Sequence, residues 1–102
     1  THPVRCFVAE IEGTVIGFAH LRHQHDTFTA GPGWFLDDLF TSPEARGRGA
    51  ATALINAANE YALAHGGGTL RWITAHDNDR ARRLYNTLAT PTTWVTYEKE
   101  VE

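Results

Sequence analysis

With 102 residues, 42% of them hydrophobic and 11% aromatic, the chain has enough apolar mass for one small domain and too little for two. A formal net charge of -3 argues against a nucleic-acid binder or a protein held on anionic membranes, since both display a basic excess. Cys6 is the single cysteine and excludes an internal disulfide; with no signal-like start and no apolar run of bilayer length, a reducing cytoplasm is the expected setting.

Residues 4–10 are rich in β-formers, with Cys6 expected as a small apolar strand residue. Glu12-Gly13 supplies a turn and 15–22 resume the β pattern, so the chain opens with a hairpin. Thr29-Ala30-Gly31-Pro32-Gly33 breaks the chain before a third strand over 34–41, which carries the acidic pair Asp37-Asp38. From there Ala51, Leu54, Ile55, Ala58, Tyr61 and Ala62 lay one stripe along a helix, ended by Gly66-Gly67-Gly68 with His65 in its last turn. Residues 69–74 alternate as a strand. Asp77 or Asn78 caps a second helix with the stripe Ala81, Leu84, Tyr85 and Leu88, Pro91 stops it, and 93–97 form a last strand. The order β-β-β-α-β-α-β, without repeats or linkers, predicts an α/β fold in one domain over 1–102. Its central sheet is mixed, with a hairpin of antiparallel neighbours and a parallel crossover, and helices flank it.

The stretch from Ser42 to Ile55 puts Arg46 and Arg48 among Gly47 and Gly49 where the first helix begins. A helix start leaves backbone N–H groups without partners and carries partial positive charge, and glycines let those amides approach a phosphate closely. Arg46 and Arg48 add charge-assisted contacts, and with Arg80, Arg82 and Arg83 they make up more than half of the nine basic residues. Two short segments are thus able to form one local anion site within an acidic protein. The triphosphate loop G-x-x-x-x-G-K-S/T is absent, and Thr52 stands where a dinucleotide fingerprint needs a third small residue. The pattern present is R-x-x-G-x-A, from Arg46 through Gly49 to Ala51, after a strand that ends Leu39-Phe40-Thr41.

That pattern resembles the acetyl-CoA pyrophosphate loop of the GCN5-related N-acetyltransferases (GNAT), R/Q-x-x-G-x-G/A. Trp72, Thr74, Asn78, Ala81, Leu84 and Tyr85 have the order and spacing of that family's next segment, and the likeness covers about Phe7 to Tyr97. The resemblance implies acetyl-CoA as cosubstrate and no metal. Backbone groups of Leu39, Phe40 and Thr41 would receive the pantetheine arm and acetyl carbonyl. Gly47, Arg48, Gly49, Ala50, Ala51 and Thr52, lined by Arg46, would hold the pyrophosphate. Asn78 would bond the pantetheine region, Ala81 would leave it room, and Tyr85 would donate a proton to the thiolate. Taken by its stripe alone, Tyr85 reads as core packing beside Leu84 and Leu88.

Acetyl transfer needs a neutral amine, whereas an alkyl ammonium titrates near ~10.4, so a base or water relay must remove a proton. Strand alternation sends Asp37 and Asp38 to opposite faces, so only one meets a given cleft. Leu36-Asp37-Asp38-Leu39-Phe40 is similar to the strand of the family's polyamine and diamine acetyltransferases. This implies Asp37 as water-relay base, Asp38 as substrate-side anion, and a small-molecule amine, polyamine-like or amino-acid-like, as acceptor. Tyr85 helps the departing thiolate only if its hydroxyl is somewhat acidified.

His20, His23 and His25 with Asp26 form the densest titratable cluster, but alternation splits His20 from the other two and no thiolate completes a metal set. Family members begin with a strand and helices before the hairpin, so the chain reads as an N-terminally short domain: either it is a truncated product or an ordered fragment, or a partner subunit covers the exposed sheet edge, and a homodimer is expected. The rival to an enzyme is a CoA-binding or regulatory module without turnover.

Overall fold

The computed structural model describes residues 4–26, 31–43 and 47–101. Along them run β1 (Val4–Ile11), β2 (Thr14–Asp26), β3 (Gly31–Thr41), α1 (Ala50–Ala64), β4 (Thr69–Arg71) and α2 (Asp79–Leu88). The strands form a sheet in the order β1-β2-β3-β4, antiparallel across the first two junctions and parallel between β3 and β4. The expected mixed sheet is therefore formed.

Alternation decides which face is covered. Ala19 and Leu21 on β2 and Trp34 and Leu36 on β3 share one face, and all are buried. Onto it α1 lays Leu54, Ile55, Ala58 and Ala62, joining the two elements in one apolar cluster. The Trp34 indole Nε1 donates to the Gly67 carbonyl at 2.9 Å, fixing the glycine turn that ends α1. Within that turn Gly68 has φ 104, and a Cβ there would run into the Pro32 carbonyl. The other face carries Val4, Cys6, Val8, Phe18, His20 and Arg22, together with Phe40, which is half exposed.

Four expectations change. Cys6 is exposed, because it pairs with His20 on the uncovered face. Of the break expected over 29–33, Thr29 and Ala30 lie outside the described residues, and Gly31-Pro32-Gly33 belongs to β3, since β2 runs on to pair with it through Asp26. β4 stops at Arg71, where its pairing with β3 ends. The strand expected over 93–97 does not form; residues 90–101 lie in no helix or strand, and Trp94, Val95 and Tyr97 are 70%, 74% and 90% exposed. A strand needs a ladder partner, and the short β4 offers little edge to pair with.

Among the described residues no helix is long and apolar enough to cross a membrane.

Candidate active site

β3 and β4 pair only from Gly33 to Phe35, so β3 continues toward Thr41 without a β4 ladder beside it. Backbone groups along this stretch are thereby released from sheet pairing on one side. The loop from Gly47 enters α1 next to it, with Gly47 at φ 82 and Gly49 at φ 80, the left-handed region that glycine adopts without a Cβ penalty. Gly49 is the N-cap and offers no side-chain acceptor. The first intrahelical bond runs from Ala53 N–H to the Gly49 carbonyl, and among the described residues no backbone acceptor meets the amides of Ala50, Ala51 and Thr52.

These parts enclose a cavity of about 590 Å³. Leu39, Phe40 and Thr41 line it from β3, Gly47, Gly49, Ala50, Ala51 and Thr52 from the loop and α1, and Asn78, Ala81 and Tyr85 from the α2 side. Almost every residue singled out for the cosubstrate therefore meets in one place. Arg48 is exposed and lines no part of it, and Arg46 lies outside the described residues. Of the remaining arginines, Arg80 reaches this cavity, whereas Arg82 donates to the His76 carbonyl at 2.7 Å. Leu84 is a further lining residue that the sequence reading assigned only to packing.

Asn78 has a structural task besides. Its Oδ1 accepts from Ala81 N–H at 3.3 Å, capping α2, and its Nδ2 donates to Thr74 Oγ1 at 3.3 Å. One amide hydrogen is left for a ligand. Tyr85 is half-buried, with Trp72 packed edge-on at 5.5 Å between ring centroids. Burial pushes its hydroxyl above the ordinary value, contrary to the acidification expected of a strong proton donor. It stays protonated at neutral pH, with a hydrogen to donate.

A second cavity of about 420 Å³ adjoins the first, and Asp37, Asp38, Ile73 and Thr74 help to line it. Leu39, Asn78 and Tyr85 belong to both walls. The two carboxylates do not point to opposite faces as strict alternation predicts. Between the pairs Phe18 with Phe40 and His20 with Asp37, β3 has one residue more than β2, and Asp38 takes φ 54 in the resulting bulge. Asp37 accepts from Arg22 Nε at 3.0 Å, and Asp38 Oδ2 lies 3.4 Å from His20 Nδ1. His20 and Arg22 are two apart on one strand, so both carboxylates reach the same face. Arg22 and His20 were missed as partners of this pair; their alternation with the buried Ala19 and Leu21 was the available signal. His23 packs against Trp34 at 4.5 Å, apart from His20.

This is an α/β domain in which a glycine-led helix start opens on one cavity, and Leu39, Asn78 and Tyr85 join that cavity to an acidic second one. The chain belongs to the acetyltransferase (GNAT) family, whose model matches residues 1–89. It is 37% identical over 84 residues to the uncharacterized N-acetyltransferase YhfO of Bacillus subtilis, covering 82% of this chain and 56% of that protein. To the D-amino-acid N-acetyltransferase HPA3 of Saccharomyces cerevisiae it is 31% identical over 87 residues, 85% of this chain and 54% of the other. The chain thus spans about half the length of these curated relatives. Among solved structures, AAC(6')-Iy in complex with a bisubstrate analogue of CoA and acetylneamine superposes with TM-score 0.82 at 27% identity, covering 96% of this chain and 70% of that one.

Proposed function

We propose that the protein is an acetyl-CoA-dependent N-acetyltransferase that acetylates the primary amine of a small molecule, polyamine-like or amino-acid-like, by direct attack. The observation that carries this reading is the shared wall: Leu39, Asn78 and Tyr85 line both the glycine-loop cavity and the acidic one. Two ligands seated there meet at Tyr85. Bound in the larger cavity, acetyl-CoA supplies the activated acetyl group. The free amides of Ala50, Ala51 and Thr52 and the guanidinium of Arg80 suit its diphosphate. Backbone N–H near Phe40 is suited to hold the carbonyl oxygen as charge develops, an effect worth about 3 kcal/mol per donor.

On the acceptor side, Asp38 meets the ammonium and Asp37 holds the water that relays its proton. Negative charge on both favours a cationic substrate. Tyr85 donates a hydrogen bond to the departing sulfur. The D-amino acid in the name of the yeast relative and the acetylneamine part of the bisubstrate analogue in the solved structure support a small amine as acceptor. A cytoplasmic setting and a homodimer paired at a sheet edge belong to the same reading; sedimentation would check the second.

Calorimetry with CoA, followed by CoA release with a panel of diamines, D-amino acids and aminoglycosides, tests the proposal. Binding with turnover of one amine class is expected. Binding without turnover would establish the non-catalytic module instead, and no heat with CoA would remove both.

A further inference from the structure

On the face that α1 leaves open, the cross-strand partners Val8 of β1, Phe18 of β2 and Phe40 of β3 stand in one row. Val8 is 53% and Phe40 50% exposed, Phe18 between them is partly exposed, and the rings of Phe18 and Phe40 lie 5.5 Å apart between centroids. A single apolar side chain on a surface needs no explanation, whereas a contiguous strip marks a place for an apolar ligand or partner.

One end of the row decides between these. Phe40 also lines the larger cavity, on the stretch of β3 whose backbone suits the thioester carbonyl. The row therefore starts where the carbonyl carbon of a bound donor would lie, and it runs from there to the sheet edge at β1. The neighbouring row on the same face is polar, with His20 between Cys6 and Asp37 and with Asp38 beside His20. An alkyl chain leaving the carbonyl across this face thus finds apolar contact along Phe18 and Val8 only. Adjacent strands stand about 4.8 Å apart, which puts Val8 about 10 Å from Phe40. An extended alkyl chain advances about 1.3 Å per carbon, so about eight carbons cover that distance.

We propose that the row Phe40, Phe18 and Val8 seats the acyl chain of a medium-chain acyl-CoA, and that the protein transfers acyl groups of this length as well as acetyl. The proposal rests on the N-acetyltransferase reading above. The bonds made and broken are the same for either donor. The neutral amine nitrogen attacks the thioester carbonyl carbon, a C–N bond forms and the C–S bond breaks. The sulfur leaves with the bonding pair and takes up the proton that the nitrogen sheds, giving an N-acyl amide and the CoA thiol. Chain length enters only through the apolar area withdrawn from water, so each methylene laid against the row adds to the donor's affinity.

Calorimetry with acetyl-CoA, butyryl-CoA and octanoyl-CoA, each below its micelle concentration, on the unaltered chain, Val8→Glu and Phe18→Ser tests this. CoA release with putrescine and D-phenylalanine as acceptors is followed for the same donors. Octanoyl-CoA is expected to bind about 10- to 100-fold more tightly than acetyl-CoA, with butyryl-CoA between them, and to be turned over with a kcat/KM at least as high. Val8→Glu sets a charge at the far end of the row, on an exposed position of an edge strand. It should remove most of the octanoyl-CoA gain and leave acetyl-CoA and butyryl-CoA unchanged. Phe18→Ser should weaken both longer donors, and acetyl-CoA binding shows that each variant is folded. Should Phe18→Ser fail to bind acetyl-CoA, Val8→Glu carries the test. Octanoyl-CoA that binds no more tightly than acetyl-CoA, a gain that survives Val8→Glu, or release from acetyl-CoA alone overturns the proposal. So does sedimentation of a dimer that Val8→Glu dissociates, which would give the row to a second copy. With acetyl transfer intact, the transferase reading stands in each of these cases. Binding of both donors with no transfer to either amine overturns that reading together with the proposal.

Discussion

Tyr85 is the residue where packing and chemistry meet, and its two tasks are separable by pH. Burial raises its hydroxyl above the ordinary value of about 10. A group raised in this way contributes stability that is fully present below its unfolded value and is lost as pH climbs through the folded one. Thermal unfolding of the unaltered chain should therefore weaken above about pH 10, and Tyr85→Phe, which has no phenol to ionise, should weaken less. At neutral pH the two should unfold within a few degrees of each other. In the same variant kcat should fall by about 10²-fold with acetyl-CoA affinity nearly unchanged, because only the hydrogen bond to the leaving sulfur is gone. Equal turnover would make Tyr85 a packing residue beside Leu84 and Leu88.

At the level of elements, the start of α1 sets the geometry of the larger cavity. Gly49 has φ 80, and a Cβ there would meet nothing within 4 Å, so Gly49→Ala brings backbone strain without a clash. The left-handed region costs a residue with a Cβ about 1–2 kcal/mol. Urea unfolding should register a loss of that size, and calorimetry should register weaker CoA binding as the free amides of Ala50 and Ala51 lose their aim. Normal CoA affinity in a destabilised variant would detach the loop from the ligand. α1 and its loop were legible in the sequence because their signals are local: an apolar stripe of period 3.6, a glycine turn behind it, and arginine and glycine in front. The hairpin was legible for the same reason, and the Asn78 cap nearly so. The length of β4, the absent strand over 93–97 and the bulge at Asp38 depend on which backbone lies alongside. No run of residue types records that. The bulge mattered most, since it brought Asp37 to Arg22 and Asp38 to His20 on one face.

The described residues share an apolar cluster between the sheet and α1. It joins Ala19, Leu21, Trp34 and Leu36 of the sheet to four residues of α1, and Leu21 is 1% exposed. Leu21→Ala should cost about 2–5 kcal/mol, a large share of the about 5–15 kcal/mol that holds a domain folded. Leu21 lines neither cavity, whereas the larger cavity is assembled from β3, α1 and α2 and exists only when these are packed together. A ligand that binds this assembled state alone adds about 2.7 kcal/mol at a hundredfold excess over its Kd, whatever the starting stability. Acetyl-CoA should therefore recover about half or more of the loss in Leu21→Ala, and its free-energy increment should equal that of the unaltered chain. Denaturant unfolding of both proteins, with and without acetyl-CoA, measures the two increments. Equal values separate Leu21 from the site, as its absence from both cavity walls requires; an increment near zero in both would mean that the larger cavity does not hold acetyl-CoA, and the acetyltransferase reading would go with it.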